Sequence, residues 1–436
     1  MSFQRKLIVV ALASAMPLAS AYAQTAGDLQ KEIASLKAQL QSLQQKVEAM
    51  GNQSQPAVSP QQVNRIEQKL ELMEADAEKS GFSGLSIKGQ IDPTLIYNRN
   101  ADTADAVFMN NNSAGFGYDN SSFGQAMVEV TKLTEDGTKL VLRLTPKMNS
   151  SLVHEATVAV PLGDDVMLNA GLTPDYSGYE LAFGSDNPLI THNLLFDFTA
   201  ATNYVGVGTT HTVGPFIGKW MVGNVDSNGG NAPGLAYRGD WSMSEYSGIG
   251  FSGVHGTKAR VANAIPAAGF TGGDKFNLME IDGYYTRGDL TLQGQVSWGS
   301  LGNGASGANA SWSGLSGLVG YKLTPRLQAI LRADYIENAK NGGGVYGTTA
   351  GDTRNGFGSS WEDDGTGTNT WVQPDTTKGV NRMALSAGLN YLLNEKTNLK
   401  LEMRVDSANG NVFYDQSNGK YVKDNFLLGT AVVVKF

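Results

Sequence analysis

One stretch of the chain, residues 174–201, carries acidic side chains and a histidine but no lysine or arginine. No basic residue occurs anywhere between Lys147 and Lys219. Carboxylates without neighbouring cations attract positive charge, so this stretch can orient polar solutes or sort ions if a charged surface faces it. Its candidate functional residues are Asp175, Glu180, Asp186, His192 and Asp197.

The candidate facing surface consists of charged residues that alternate with apolar ones. In the segment 399–406, apolar residues occupy the odd positions and charged residues the even positions. This period of two is typical of a β-strand with one apolar and one wet face. On a lipid face at mid-depth, Lys or Arg would cost ~2–4 kcal/mol, so the charged face must point inward. The predicted wall residues are Lys88, Arg143, Arg326, Arg332, Asp334, Lys400, Glu402, Arg404 and Asp406.

Similar alternation recurs throughout residues 81–436 and predicts the fold. The connections between the segments are alternately short and long, and the long ones include 99–121 and 338–379. An even set of strands with this asymmetry is typical of a barrel entered from the periplasm, so we predict an all-β, 16-stranded antiparallel transmembrane β-barrel. A secreted soluble protein is the competing interpretation. The sixteen predicted strands are 84–98, 122–133, 138–147, 154–162, 165–173, 202–212, 215–226, 234–243, 246–257, 274–287, 289–299, 311–323, 326–338, 380–392, 397–407 and 424–436.

The N-terminus has the pattern of a secretory signal peptide over residues 1–23. Arg5 and Lys6 precede a short apolar run, and Ala21-Tyr22-Ala23 forms an A-x-A cleavage site. We expect cleavage before Gln24. An uncleaved membrane anchor is the alternative, but the apolar run is too short to cross a bilayer as a helix.

Residues 24–80 predict a periplasmic α-helical coiled coil ahead of the barrel, with a hinge at 51–60. Spacings of 4 and 3 alternate without interruption along one seam, and the other positions are mostly polar. Such a narrow seam favours self-association over packing on a globular core. A lone amphipathic helix lying on the barrel is the alternative. The core residues of the seam are Leu29, Ile33, Leu36, Leu40, Leu43, Val47 and Met50.

Composition argues against several classes of function. The formal charge is −8, and loss of Arg5 and Lys6 takes it to −10, which disfavours nucleic acid as a partner. The chain contains no cysteine and only four histidines, without metal-ligand spacing. No local pattern proposes a nucleophile with its base. We therefore expect no metal, no cofactor and no enzymatic activity.

Three features carry a resemblance to known families. The last strand, NFLLGTAVVVKF, ends in Phe436 and resembles the signal by which Gram-negative outer-membrane proteins are recognised for assembly. Residues 168–208 look like the strand, long third loop and next strand of the phosphate-selective porin O and P family. The coiled coil joined to a barrel is similar to DcaP-type trimeric porins.

This resemblance implies a homotrimer in the outer membrane, with the N-terminal segment in the periplasm. It also implies a pore through each subunit that is narrowed by a constriction loop, here residues 174–201. The expected partners of the chain are outer-membrane lipid, the barrel-assembly machinery, other copies of the chain and small hydrophilic solutes. The acidic loop lacks the basic ladder that a phosphate-selective channel requires.

We therefore predict a porin for the passive diffusion of small hydrophilic solutes or ions. The alternative is a closed or loop-plugged barrel that acts in adhesion or envelope tethering.

Overall fold

The computed structural model describes most of the region predicted to form the barrel. No helix among the described residues is long and apolar enough to cross a membrane. The predicted signal peptide (1–23) and coiled coil (24–80) lie outside the described residues, and both stay predictions. The described residues are 83–108, 123–146, 152–200, 203–224, 234–258, 274–302, 309–340, 358–367, 370–375 and 377–436.

The described strands form one closed antiparallel barrel and two small hairpins. The sheet contains eighteen strands, but β1 and β2 together make one wall strand, as do β3 and β4, which gives sixteen. The last strand, β22, pairs with β1 and β2 and closes the barrel. The predicted sixteen-stranded barrel is thereby confirmed.

The strands are β1 Leu85–Ile91, β2 Thr94–Asn98, β3 Thr103–Val107, β4 Ala126–Leu133, β5 Lys139–Leu144, β6 Val153–Pro161, β7 Val166–Pro174, β8 Asn203–Val213, β9 Phe216–Asn224, β10 Gly234–Ser244, β11 Ser247–Lys258, β12 Asp274–Arg287, β13 Leu290–Leu301, β14 Ala310–Thr324, β15 Leu327–Lys340, β16 Glu362–Asp363, β17 Trp371–Val372, β18 Arg382–Asn394, β19 Thr397–Ala408, β20 Phe413–Asp415, β21 Lys420–Val422 and β22 Asp424–Lys435. The hairpins β16–β17 and β20–β21 lie in the long connections after β15 and β19. One helix, α1, spans Leu194–Phe198.

Side chains alternate between the two faces of the wall as the sequence predicts. On β19, Leu401 and Met403 are 46% and 47% exposed, whereas Glu402 and Arg404, which alternate with them, are fully buried. The exterior is therefore apolar, and the charged side chains point into the barrel interior, here called the lumen. This arrangement agrees with the high cost of placing Lys or Arg against lipid.

Short turns and long connections lie at opposite ends of the barrel. The turns at the short end contain two to five residues. Gly214 and Gly288 have φ of +56° and +61° there, a left-handed conformation that glycine adopts without a steric penalty. The predicted alternation of long and short connections is confirmed.

The first long connection differs from its prediction. Residues 99–121 were expected to form one outer loop, but a tight turn at 99–102 leads into β3, which pairs with β2. The chain then leaves the wall at 108 and rejoins it at β4, opposite β1. The long insertion thus interrupts the second wall strand. The short first half of this wall strand, Thr103–Val107, is stabilised by pairing with β2. Alternation within the segment itself does not reveal such pairing.

The chain end completes the closure of the barrel. Phe436 N–H donates to the Gly89 carbonyl, and Gly89 N–H donates to the Phe436 carbonyl, both at 3.0 Å. The Phe436 ring lies over Gly89 on the outer face, where a Cβ at position 89 would overlap it. The terminal residue therefore extends the pairing between β22 and β1.

We expect deletion of Phe436 to destabilise the barrel more than the substitution Phe436→Ala. Deletion removes both backbone hydrogen bonds, each worth about 0.5–1.5 kcal/mol, whereas the alanine variant loses only the ring contact. Unfolding midpoints of the two purified proteins in detergent measure the difference. Equal midpoints would show that the terminal hydrogen bonds contribute nothing to closure.

Candidate functional site

The segment between β7 and β8, here called the lumenal loop (residues 175–200), folds into the barrel. Leu194, Leu195 and Phe198 are fully buried and pack in one cluster with inward side chains of several wall strands, including Phe276 of β12 and Ile336 of β15. At the start of α1, the Asn193 side chain accepts a hydrogen bond from Phe196 N–H. This cap fixes the turn that presents the apolar residues to the wall.

Two wall glycines make room for this packing. A Cβ on Gly314 of β14 would overlap the Leu195 side chain, and a Cβ on Gly388 of β18 would overlap Leu189. Because neither glycine carries a Cβ atom, the loop can approach the backbone of the wall at both positions. The loop is consequently held by shape as well as by polar contacts.

Arg332 on β15 holds the loop most extensively. Its guanidinium donates to the Thr191 carbonyl at 2.7 Å, the His192 carbonyl at 2.8 Å and Glu180 Oε1 at 2.9 Å. It also donates to Asp334 Oδ2 on its own strand at 3.1 Å. A buried guanidinium is tolerated here because its donors are matched by carboxylates and carbonyls.

Two residues of β19 bind the same turn of the loop. Glu402 accepts hydrogen bonds from Ile190 N–H at 2.6 Å and from Thr191 N–H at 2.8 Å. Arg404 donates to the His192 carbonyl at 2.8 Å and to Asp406 Oδ2 at 3.0 Å. The turn at 190–192 is thus clamped by side chains of both charges, Glu402 and Arg404 from β19 and Arg332 from β15.

Lysines anchor the region around the 3-10 turn at 184–186. Lys400 Nζ donates to the carbonyls of Gly184, Asn187 and Leu189. Lys435 Nζ lies 2.7 Å from Asp186 Oδ1, but its side chain is 47% exposed. Such an exposed pair contributes little stability, whereas the buried Lys400 contacts are shielded from water.

Of the remaining acidic residues of the loop, Asp175 is partly buried and Asp197 is fully buried. Asp175 accepts hydrogen bonds from Ser177 N–H at 3.1 Å and from the hydroxyls of Ser177 and Tyr204. Asp197 Oδ2 lies 3.9 Å from Arg404 Nη1, and both side chains are fully buried. The structure thus brings together most of the predicted loop and wall residues, but as contacts that fasten the loop and not as two surfaces facing an open passage.

His192 is a buried packing residue. Its ring stacks on Phe196 with centroids 4.1 Å apart, and Nε2 lies 2.7 Å from the Leu181 carbonyl oxygen. Burial, together with the positive charge of Arg332, lowers the pKa of His192 to about 3, against the opposing effect of the hydrogen bond to the Leu181 carbonyl. The imidazole is therefore neutral at physiological pH.

Three predicted wall residues do not contact the loop in this way. Lys88 is exposed on β1, and Arg326 lies in the exposed turn between β14 and β15, outside the strand that was predicted to begin there. Arg143 on β5 is partly exposed and forms ion pairs within the wall. Arg326 ends up in the turn because pairing of β15 begins at Leu327.

Arg143 belongs to an alternating row of charges, here called the charge ladder: Lys88, Glu129, Arg143 and Glu155. These residues lie directly opposite one another on four neighbouring strands. Arg143 Nη2 lies 2.6 Å from Glu129 Oε2, and Arg143 Nη1 lies 3.1 Å from Glu155 Oε2. Glu129 and Arg143 side chains are 17% and 14% exposed, so the ladder meets solvent where the loop anchors do not.

Sequence reasoning missed the two glutamates of the ladder. Glu129 alternates with Val128 and Val130, which was a usable signal. Glu155 was hidden by a register shift, because β5 and β6 change partners between Arg143 and Leu144. The shift leaves His154 buried, with its ring 5.1 Å from the Phe183 ring of the loop.

At the long-connection end, a stack of side chains links the lumenal loop to the hairpin β20–β21. The Arg382 guanidinium lies 4.9 Å from the Phe198 ring of α1 and 4.9 Å from the Phe413 ring of β20. Arg382 also donates to Asp406 at 2.8 Å. Cation–π contacts on both faces of one guanidinium join the hairpin to the loop.

The described residues contain no group of three or more His, Asp or Glu side chains that could hold a metal ion.

Comparison of the sequence with family models identifies the group to which it is related. Residues 49–232 and 228–436 match the family described as "Protein of unknown function (DUF3138)". The chain belongs to the DUF3138 family. No protein of curated function matches it in sequence.

Solved structures share the fold of this DUF3138 member. OmpT, an outer-membrane protein of Vibrio cholerae, is 11% identical with a TM-score of 0.51, over 81% of this chain and 97% of that one. The anion-selective porin from Comamonas acidovorans is 10% identical with a TM-score of 0.50, over 81% and 99% of the two chains. At such low identity the likeness is one of fold.

We expect Arg332→Ala to destabilise the DUF3138 barrel by about 3–5 kcal/mol, because it leaves Glu180 and Asp334 buried without their cation. Chymotrypsin should then cut the lumenal loop faster; trypsin is unsuitable because the loop has no Lys or Arg. Arg326→Ala, the same change in an exposed turn, should alter the free energy of unfolding by less than about 0.5 kcal/mol. Similar losses in both variants would contradict the proposed anchoring.

We expect His192 to make the barrel acid-sensitive between pH about 6.5 and about 3. In this range the unfolded imidazole binds a proton that buried His192 does not, so stability falls as the pH falls, by up to about 1.4 kcal/mol per pH unit. Unfolding midpoints of His192→Gln should depend less on pH than those of the wild type. His211→Gln, an exposed position, is the matched control and should follow the wild type.

Proposed function

We propose that this chain is an outer-membrane porin through which small hydrophilic solutes or ions diffuse passively. The observation that carries the proposal is the partly exposed charge ladder, which lies in the lumen of a closed barrel while the lumenal loop is fixed by other wall residues. A closed barrel with an apolar exterior satisfies its backbone hydrogen bonds internally, which a bilayer requires.

The proposed route runs beside the charge ladder. Strands β13 to β19 hold the loop through residues such as Arg332, Glu402 and Ser316, whose hydroxyl lies 2.6 Å from Tyr179 Oη. On the other side, the ring of Phe183 lies 5.3 Å from the Arg143 guanidinium of the ladder. A hydrated solute would pass between this edge of the loop and the wall formed by β4 to β9.

Selectivity in this route comes from wall charges and not from the acidic loop. Glu180 and Asp197 are buried and lie close to arginines, and the partly buried Asp175 accepts a hydrogen bond from Ser177 within the loop. A permeating ion would instead meet Lys88, Glu129 and Arg143, where both signs alternate. Such a row orients dipolar solutes and gives weak discrimination between anions and cations.

The proposed assembly is a homotrimer in the outer membrane, with residues 24–80 in the periplasm. The outer face of β4 to β7 supports self-association, because a shallow apolar concavity of about 470 Å³ lies there, lined by small residues such as Ala156, Ala170 and Gly171. Small side chains allow backbones to approach closely in a bilayer. Phe436, at the closing strand, is the residue that we propose the barrel-assembly machinery recognises.

A loop-plugged barrel acting in adhesion or tethering is the second candidate. It is favoured by the continuous burial from Leu194 through the Arg382 stack to the hairpin β20–β21, which occupies the long-connection end of the lumen. Such a barrel would carry no steady current.

Conductance of the purified protein in planar bilayers tests the proposal. We expect stepwise open-channel current in the wild type, and a persistent lack of current would favour the plugged barrel.

Under a salt gradient, Glu129→Gln should shift the reversal potential toward anion selectivity and Arg143→Gln toward cation selectivity, because each removes one sign of charge from the ladder. Glu245→Gln, in an exposed short turn, should leave the potential unchanged. Unchanged potentials in both ladder variants would place the constriction elsewhere.

A further inference from the structure

Three inward-facing polar side chains stand side by side on neighbouring strands away from the charge ladder. Ser252 of β11 lies opposite Glu280 of β12, which lies opposite Ser297 of β13. Each is at most 1% exposed. Within the described part of the chain, Ser252 Oγ, Ser297 Oγ and Glu280 Oε2 have no hydrogen-bond partner.

The second oxygen of Glu280 has a partner of its own. Gln295 Nε2 donates to Glu280 Oε1 at 2.8 Å. The Ser177 hydroxyl of the lumenal loop, which donates to Asp175, lies close to this carboxyl. The contact with Gln295 fixes the orientation of the Glu280 carboxyl, while Oε2 stays without a partner among the described residues.

Nearby basic groups are already matched by other carboxylates. Arg238 donates to both oxygens of Asp282, at 2.7 and 2.9 Å, and to Asp240 at 2.7 Å. Asp175, also close to Glu280, is hydrogen bonded to Ser177 and Tyr204. Among the residues that the structure describes, no Lys or Arg forms an ion pair with Glu280. Among these residues, the Glu280 carboxylate is therefore left without a cation, and its Oε2 has no hydrogen-bond donor either.

A fully buried carboxylate with a free oxygen costs several kcal/mol unless a proton or a cation neutralises it. A proton on Oε2 would need an acceptor, yet no hydrogen bond joins Oε2 to either serine. Oxygens that bind a hard cation at roughly 2.4 Å lie farther from one another than hydrogen-bonded oxygens do. The lack of hydrogen bonds among Ser252 Oγ, Glu280 Oε2 and Ser297 Oγ agrees with such a site. One carboxylate with neutral hydroxyls balances a single positive charge, whereas a divalent ion prefers several carboxylates.

We propose that Ser252, Glu280 and Ser297 form a binding site for a small monovalent cation such as Na⁺, here called the cation niche. The bound ion joins β11, β12 and β13 and, through Ser177, the start of the lumenal loop. Since Arg238 also donates to the Tyr176 carbonyl at 2.9 Å, ion and arginine together fix the point where the loop enters the lumen. The site is independent of whether the channel conducts.

Thermal unfolding of the full chain in detergent tests the cation niche. NaCl is exchanged for tetramethylammonium chloride at constant ionic strength, since tetramethylammonium is too large for a buried site. We expect the unfolding midpoint of the wild type to rise with Na⁺ concentration, because a ligand that binds only the folded state stabilises it. An unfolding midpoint that does not depend on Na⁺ would overturn the cation niche, whether or not the protein conducts current in planar bilayers.

Variants assign the effect to the niche. Glu280→Gln should abolish the Na⁺ dependence and, without Na⁺, unfold at a higher temperature than the wild type, because it removes the unmatched charge. Ser297→Ala should raise the Na⁺ concentration for half of the effect by about tenfold, and it serves as the test if Glu280→Gln does not fold. Glu362→Gln, an exposed glutamate on β16, should retain the wild-type response. Retention of the response in Glu280→Gln or Ser297→Ala would exclude the site.

Discussion

The clamp on residues 190–192 of the lumenal loop is the interaction on which the rest of the lumen depends. Arg332, Glu402 and Arg404 reach this turn from two wall strands and bind its backbone groups. These side chains are fully buried, so each would be costly alone and is stabilised only by the others. The loop and the charged wall therefore fold as one unit, and the position of the loop follows from it.

This clamp decides which charges remain available to a solute. By matching Glu180 and the nearby arginines to each other, it removes them from any transverse field across the lumen. The charge ladder on β1, β4, β5 and β6 is left partly exposed, with the Phe183 ring of the loop 5.3 Å from its Arg143. In the proposed channel, the loop shapes the passage while the opposite wall supplies the charge, and the alternating signs of the ladder favour dipolar solutes over either type of ion.

The two ends of the loop are fastened by different means. At its start, Arg238 and the cation niche hold the entry from β7; toward its end, Arg382 lies between Phe198 of α1 and Phe413 of an outer hairpin. The first attachment is electrostatic and open to exchange of an ion. The second is a stack that couples the loop to the long connections, so movement of the hairpin β20–β21 would be transmitted to α1.

The sequence by itself determined the barrel. Period-two alternation, as at 399–406, reports the faces of a strand because an apolar exterior and a polar lumen impose it on every strand. It could not show that β3 pairs with β2, or that a register shift turns His154 inward, because both depend on partners far along the chain. Sequence also identified Arg332 and Glu180 as functional candidates, but only the tertiary structure placed them 2.9 Å apart. The path of the loop decides whether two opposite charges face a passage or bind each other. That path depends on Gly314 and Gly388 of the wall, because a side chain at either position would overlap Leu195 or Leu189 of the loop.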